Sequence, residues 1–246
     1  MDKKIDLFKS WLVERNIAHR GLHTAEAPEN TLAAFQNAIN NSTPIELDIQ
    51  QLSDNTVVVF HDKKLERLTG QDGYLKNLTK ENLKNYKILN TEHSIPTLEE
   101  ALNLINGQVP VLIEIKNNEK VGDLERAFYN IIKDYKGEFA IQSFNPFSLE
   151  WFKKNAPQII RGQLSSYFDE DNLSFVKKVL LKKMFFNKKI SEPHFISYNA
   201  KNLPNRYVRK FKHLPLLAWT VRNQEEYMRV LPFCDNIIYE NFEPKL

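Results

Sequence analysis

The sequence predicts an α/β protein built as a (β/α)8 TIM barrel with a small insertion after the second strand. Three observations carry that expectation. Short β-rich runs alternate with longer helical patterns along nearly the whole chain, and such alternation gives parallel strands joined by right-handed crossovers. Eight runs qualify as barrel strands, at 16–19, 45–50, 109–116, 139–144, 159–164, 194–199, 215–221 and 236–240. One further β-rich run, at 56–62, follows the second strand too closely to fit the alternation.

The chain opens with "MDKKIDLFKSWLVERN", where Leu7, Phe8, Trp11 and Leu12 can form one face of a short helix packed on the protein. A lipid surface is the alternative open to any such face. Asp6, Lys9 and Glu14 interrupt the stretch, which therefore lacks the apolar core of a signal peptide. "NIAH" gives the first strand, and "PENTLAAFQNAI" the first crossover helix, with Pro28, Asn30 and Thr31 suited to a helix start. "IELDIQ" is the second strand. "LSDN" then turns straight into "TVVVFHD", so these two arms predict an antiparallel hairpin that carries His61 back toward the strand ends. The polar stretch over about 62–94 reads as the insertion, and "PTLEEALNLI" resumes the helices near Pro96. Between the later strands lie "VGDLERAFYNIIKDY", "FSLEWFKKN", "FVKKVLLKKMFF", "NRYVRKFKH" and "NQEEYMRVL". With no internal repeat or low-complexity linker, residues 1–246 read as a single domain.

Composition narrows the function classes. The 246 residues are 42% hydrophobic and 26% charged, the profile of a soluble globular protein rather than a disordered one. A net charge of +3 is small for this length and weighs against nucleic acid as the main partner. Cys234 is the only cysteine, which excludes an intramolecular disulfide and a Cys-based zinc cluster and fits a reducing compartment. No run approaches the roughly 18 apolar residues of a membrane span. The expectation is a cytoplasmic enzyme.

The polar strand residues point to its site. In such barrels the catalytic groups project from the C-terminal ends of the strands. Glu46 and Asp48 are two apart and share one face of their strand, as do Glu114 and Lys116. Two carboxylates on one face repel unless a cation lies between them. Together with Glu114 they offer three hard oxygen ligands suited to Mg²⁺ or Ca²⁺; the alternative is a set of rim salt bridges with Arg20 and Lys116. His19 and His61 come from separate segments that converge on these carboxylates. With an unperturbed pKa of about 6.5, two imidazoles can act as general base and general acid near neutrality. Arg20 and Lys116 add positive charge for an anionic substrate, and Arg suits phosphate oxygens.

At these residues the chain resembles the glycerophosphodiester phosphodiesterases. "AHRG", "APENT", "IELDIQ", "VVVFHD" with "LERLTG", "IPTLEEAL", "VLIEIK", "QSF" and "AWTV" appear in family order over about residues 16–241. The resemblance implies a (β/α)8 barrel with a segment inserted after the His-Asp motif. It implies Glu46, Asp48 and Glu114 as ligands of Ca²⁺ or Mg²⁺, His19 and His61 as the catalytic pair, and Arg20 and Lys116 as phosphate-facing cations. The implied reaction is hydrolysis of a glycerophosphodiester to sn-glycerol 3-phosphate and an alcohol. The attacking group is water or, in the favoured route, the substrate's own glycerol 2-hydroxyl through a cyclic phosphate.

Other residues stay open at this level. Gln142, Gln163 and Trp219 can contact ligand, or serve the backbone and the barrel core. His23 reads as a bystander, and "PENT" as structural. Arg222 stands where many members carry Asn, so it either recognises a charged head group or pairs with a nearby acid. "KKVLLKKMFFNKK" (177–189) reads as an outer helix with lysines at the edges of a buried face, with an anionic membrane surface as the alternative. Two further functions follow from these alternatives: a lysophospholipase D-like enzyme acting at membranes, and a ligand-binding barrel without activity.

Overall fold

The computed structural model describes residues 6–117, 119–169, 174–185 and 187–245. The first five residues of the N-terminal segment, and Phe186 at the end of the expected helix over 175–186, lie outside the described residues. In chain order the elements are α1 (Trp11–Glu14), β1 (Ile17–Ala18), α2 (Leu32–Asn40), β2 (Ile45–Gln51), β3 (Val57–Val59), α3 (Glu66–Thr69), α4 (Leu98–Ile105), β4 (Val111–Ile115), α5 (Asp123–Ile132) and β5 (Phe139–Ser143). They continue with α6 (Pro146–Asn155), β6 (Arg161–Ser165), α7 (Phe175–Lys182), β7 (Phe195–Asn199), β8 (Leu216–Val221), α8 (Gln224–Val230) and β9 (Asn236–Tyr239).

The strands hydrogen-bond in the order β1-β9-β8-β7-β6-β5-β4-β2-β3, with β1 also paired to β2. Setting β3 aside, each strand neighbours those before and after it in the chain, which is the order of a (β/α)8 barrel. β3 is the exception the short "LSDN" turn predicts: it runs antiparallel to β2, with Ile49 opposite Val59.

The chain divides into two compact units, Ala18–Phe139 and Met1–Ile17 with Ala140–Leu246. In the first, β2 and β4 pair in parallel with Glu46 opposite Leu112 and Asp48 opposite Glu114. α2 begins where Thr31 accepts a hydrogen bond from the Ala34 amide, and α4 where Thr97 and Glu100 form a capping box, each satisfying amides that a helix start leaves unpaired. The polar insertion has an apolar interior: Leu65, Leu68, Leu75, Leu78, Leu83 and Ile88 gather on Val58 and Phe60 of the hairpin arm. Those leucines are scattered among charged residues at no single period, so sequence pattern alone hides this small core.

In the second unit β5 to β9 pair in parallel in succession. Of the expected N-terminal face Trp11 and Leu12 are buried and Leu7 is half-buried, whereas Phe8 is exposed. Two other expectations need correction. "NRYVRKFKH" forms only a short 3-10 turn, Val208–Phe211; Pro215 and β8 follow at once, leaving no room for further helical turns. α7 ends at Lys182 and has no fully buried residue; of the face expected over 177–189, Val179, Leu180 and Leu181 are half-buried and Met184, beyond the helix, is buried. Among the described residues, no helix is long and apolar enough to cross a membrane.

Candidate active site

The "HRG" turn ends β1 with Arg20 in the left-handed region, at φ 57°, a costly conformation for a long side chain. That twist aims the Arg20 amide at Glu46 Oε2, 3.0 Å away. It also brings the guanidinium Nε to 3.3 Å from Asp48 Oδ2 and Nη1 to 2.5 Å from Glu29 Oε1. Gly21 follows at φ 82°, and a Cβ there would meet Ala34 at 3.0 Å, so the turn needs glycine for both conformation and space.

From β2, Glu46 and Asp48 project to one side, and the register that sets Asp48 beside Glu114 adds the third carboxylate. All three are buried, and one oxygen of each lies within 4.8 Å of the others. Lys116, just past β4, reaches 3.0 Å from Glu114 Oε1 and 3.5 Å from Asp48 Oδ1. The rim salt bridges and the carboxylate trio are therefore one constellation, with three acids facing two cations.

Its electrostatics are uneven. Burial, together with Asp48 and Glu114, pushes the Glu46 carboxyl well above the usual carboxylate range. Asp48 is held far below it: burial acts the other way and is outweighed by Lys116, Arg20, His61 and His19. Lys116 is raised although burial opposes it, because Glu114 and Asp48 lie alongside. Asp48 Oδ1 is buried and accepts no hydrogen bond, with the Lys116 ammonium 3.5 Å away. A buried carboxylate oxygen that accepts no hydrogen bond, beside a carboxyl that burial and two neighbouring acids push upward, is the arrangement a hard divalent cation would resolve, and the all-oxygen donor set fits Mg²⁺ or Ca²⁺.

Both histidines reach this cluster. His19 Nε2 is 4.0 Å from Glu46 Oε2. His61 is about one-third exposed, at 32%, and its Nδ1 lies 2.6 Å from Asp62 Oδ1. Asp62 stays ionised: burial would raise it, but His61 and Arg67 hold it far below the ordinary value. Gln50 fixes the backbone beneath, its amide donating to the carbonyls of Phe60, His61 and Asp62.

Five contributors escape a reading by residue type. Asn30 donates to Asp48 Oδ2 at 2.9 Å from a left-handed backbone with φ 58°, so "PENT" both starts a helix and steadies a carboxylate. Glu29 accepts from Arg20 and from both terminal nitrogens of Arg67, and Arg67 Nε also binds Asp62 at 2.5 Å. Asp62 and Gln50 complete the set. The available signal was their place in the motifs "APENT", "IELDIQ", "VVVFHD" and "LERLTG"; their partners are up to 38 residues away in the chain.

The remaining candidates belong to the second unit. Gln142 Oε1 accepts from the Ser197 hydroxyl at 2.8 Å. Gln163 donates to the carbonyls of Ser143, Phe144 and Leu164, which is the backbone role. Trp219 packs edge-on against Phe144 at 5.3 Å. Arg222 pairs with Glu240 at 2.7 Å, so the nearby-acid alternative holds.

The sequence profile described as "Glycerophosphoryl diester phosphodiesterase family" matches residues 19–241. The Bacillus subtilis protein YhdW is 30% identical over 236 residues, 85% of this chain and 86% of that one. The rat protein named lysophospholipase D GDPD1 is 29% identical over 275 residues, 97% of this chain and 86% of that one. Among solved structures, a phosphodiesterase from Oleispira antarctica in complex with the product sn-glycerol-3-phosphate superposes with a TM-score of 0.75 at 24% identity, covering 93% of each chain. A glycerophosphodiester phosphodiesterase from Thermotoga maritima gives 0.71 at 26%, covering 92% of this chain and 94% of that one. With a profile match over nearly its whole length, the chain belongs to the glycerophosphoryl diester phosphodiesterase family.

Proposed function

We propose that the chain is a metal-dependent hydrolase that splits glycerophosphodiesters into sn-glycerol 3-phosphate and an alcohol, with His19 and His61 as its acid–base pair. One arrangement carries this reading: three buried carboxylates with oxygens within 4.8 Å of one another, one of them with an oxygen that accepts no hydrogen bond, flanked by Arg20 and Lys116. The product-bound Oleispira antarctica neighbour supports the substrate class.

Glu46, Asp48 and Glu114 would hold Mg²⁺ or Ca²⁺. When bound, such a cation supplies Lewis-acid neutralisation of the charge that develops on phosphoryl oxygens. Arg20 and Lys116 bind and orient the phosphodiester anion. The ionised Asp62 keeps a proton on His61 Nδ1, which leaves Nε2 to exchange protons with substrate. One imidazole takes the proton of the attacking hydroxyl, and the other gives a proton to the departing alcohol oxygen. In the route we favour the attacking hydroxyl is the substrate's glycerol 2-OH, and water opens the resulting cyclic phosphate. Gln142 and Trp219 are assigned to substrate; the buried Trp219 Nε1–H lacks a hydrogen-bond acceptor among the described residues. We also assign the enzyme to the cytoplasm, on its single cysteine.

The test is release of sn-glycerol 3-phosphate from glycerophosphocholine and glycerophosphoethanolamine after EDTA treatment, then with Mg²⁺ or Ca²⁺ restored, beside a Glu46→Ala control. Turnover that metal restores only in the wild type is the expected result. Turnover in EDTA, or an active Glu46→Ala variant, would overturn the metal assignment. The likeness to a rat lysophospholipase D supports a second reading: choline release from lysophosphatidylcholine, with none from glycerophosphocholine, would favour it.

A further inference from the structure

Among the described helices of eight residues or more, α7 alone has no buried side chain. Phe175 is 81% exposed, Val176 66% and, just beyond the helix, Phe185 65%. Phe175, Val176, Val179 and Leu180 recur at the spacing of one helix side. Three large apolar side chains this open to water on one short segment carry a cost that packing within the chain does not relieve.

The segment itself carries charge of one sign, although Asp169, Glu170 and Asp171 precede it in the chain. Residues 174–190 contain six lysines and no acidic residue. Lys182 Nζ stands 3.6 Å over the Tyr167 ring, Lys210 Nζ lies 2.7 Å from the Lys183 carbonyl, and Arg206 lies 5.3 Å from the Tyr207 ring. Asp169 offers Lys178 its backbone carbonyl rather than its carboxylate. A hydrogen bond with Arg206, and the charges of Arg206, Lys182 and Lys183, hold the Tyr207 phenol below its ordinary value, as expected in a positive field.

A second copy of this chain is a poor occupant, because a two-fold contact would set lysine against lysine. Hydrated nucleic acid would meet the lysines and leave the phenylalanines wet. An anionic bilayer satisfies both, taking the apolar side chains into its interface and the ammonium groups among its phosphates. We propose that α7 and its flanking lysines form a docking site for the surface of an anionic phospholipid bilayer.

The experiment is co-sedimentation of the full chain with phosphatidylcholine vesicles, with and without phosphatidylserine, at low and high salt. Binding is expected only where phosphatidylserine is present, weakening as salt rises. Lys177→Glu with Lys178→Glu should lower partitioning by roughly thirtyfold or more, since each lysine near such a surface is worth about fivefold. Phe175→Ser with Phe185→Ser should lower it by about tenfold. Both variants should keep the wild-type melting temperature, and a Lys177→Gln, Lys178→Gln variant repeats the test should charge reversal disturb folding. The proposal is overturned if the wild type ignores phosphatidylserine vesicles at low salt, or if the substituted chains bind as the wild type does. It is equally overturned by salt-independent binding to phosphatidylcholine alone, or by a dimer in sedimentation velocity that the Phe175→Ser, Phe185→Ser variant dissolves. None of these readouts depends on turnover, so failure of the hydrolase assignment leaves them intact.

Discussion

Arg20 and Asn30 both have left-handed backbones, and both turn a polar group onto the acids of β2. For Asn30 the two effects can be separated. Asn30→Gly keeps the backbone conformation and loses the hydrogen bond to Asp48, whereas Asn30→Ala loses both and adds about 1 kcal/mol of left-handed strain. Both variants should weaken divalent-cation binding by roughly 10–100-fold, as loss of a group orienting a ligand does; Asn30→Gly should unfold at the higher urea concentration. Equal cation affinity in the variants and the wild type, by titration calorimetry, would remove Asn30 from the site. The histidines give a second test. His19→Ala and His61→Ala should each cut kcat by about 10²–10⁴-fold. Asp62→Asn should cost less and also shift the pH–rate profile under the proposed role of the carboxylate in fixing the His61 proton; a purely structural role would leave the profile in place.

At the level of elements, the hairpin of β2 and β3 and the pairing of β2 with β4 do most to build the site, since they bring His61 and Glu114 to Glu46 and Asp48. Elsewhere, the entry to β7 carries a pH dependence. His194 Nδ1 accepts the Arg161 backbone N–H at 3.1 Å, which requires that nitrogen to be unprotonated. Burial, then the Arg161 charge, draws the imidazole down to about 4. Above about pH 6.5 both folded and unfolded chains carry it neutral. As pH falls from there toward 4, the unfolded chain takes up a proton that the folded one refuses, so stability declines through that window. Urea midpoints measured between about pH 7 and pH 5 should fall in the wild type and fall less in His194→Asn, whose amide keeps an acceptor without titrating. Parallel declines in the two proteins would assign the effect to other groups.

Over the whole molecule, a cation held by Glu46, Asp48 and Glu114 binds only where β2 and β4 are paired, so it should stabilise the folded chain against the unfolded one. At a free concentration about one hundred times Kd the gain is about 2.7 kcal/mol. Differential scanning should show Tm rising with Mg²⁺ or Ca²⁺ and returning with EDTA. Glu46→Gln is close in size to the carboxyl and carries no charge into a buried site where burial and two neighbouring acids oppose one, so it should fold and melt cooperatively in EDTA, yet gain nothing from metal. A metal-induced rise that survives in Glu46→Gln would place the cation elsewhere.

The barrel topology and the hairpin were determined by the sequence itself, which also named seven charged or titratable candidates for the site: His19, Arg20, Glu46, Asp48, His61, Glu114 and Lys116. Strand and helix periods are local, and groups such as Glu46 with Asp48 share a face through chain spacing alone. The tertiary structure alone decided how those groups are held. Asn30 on Asp48, Glu29 between Arg20 and Arg67, and Gln50 under His61 depend on backbone turns and on contacts across up to 38 residues. Spacing along the chain carries no trace of such contacts. Exposure of Phe175 and Val176 at the start of α7 was likewise a tertiary decision: the apolar residues of the helix have the periodicity of a packed one, and only the fold determines how far a neighbour lies against them.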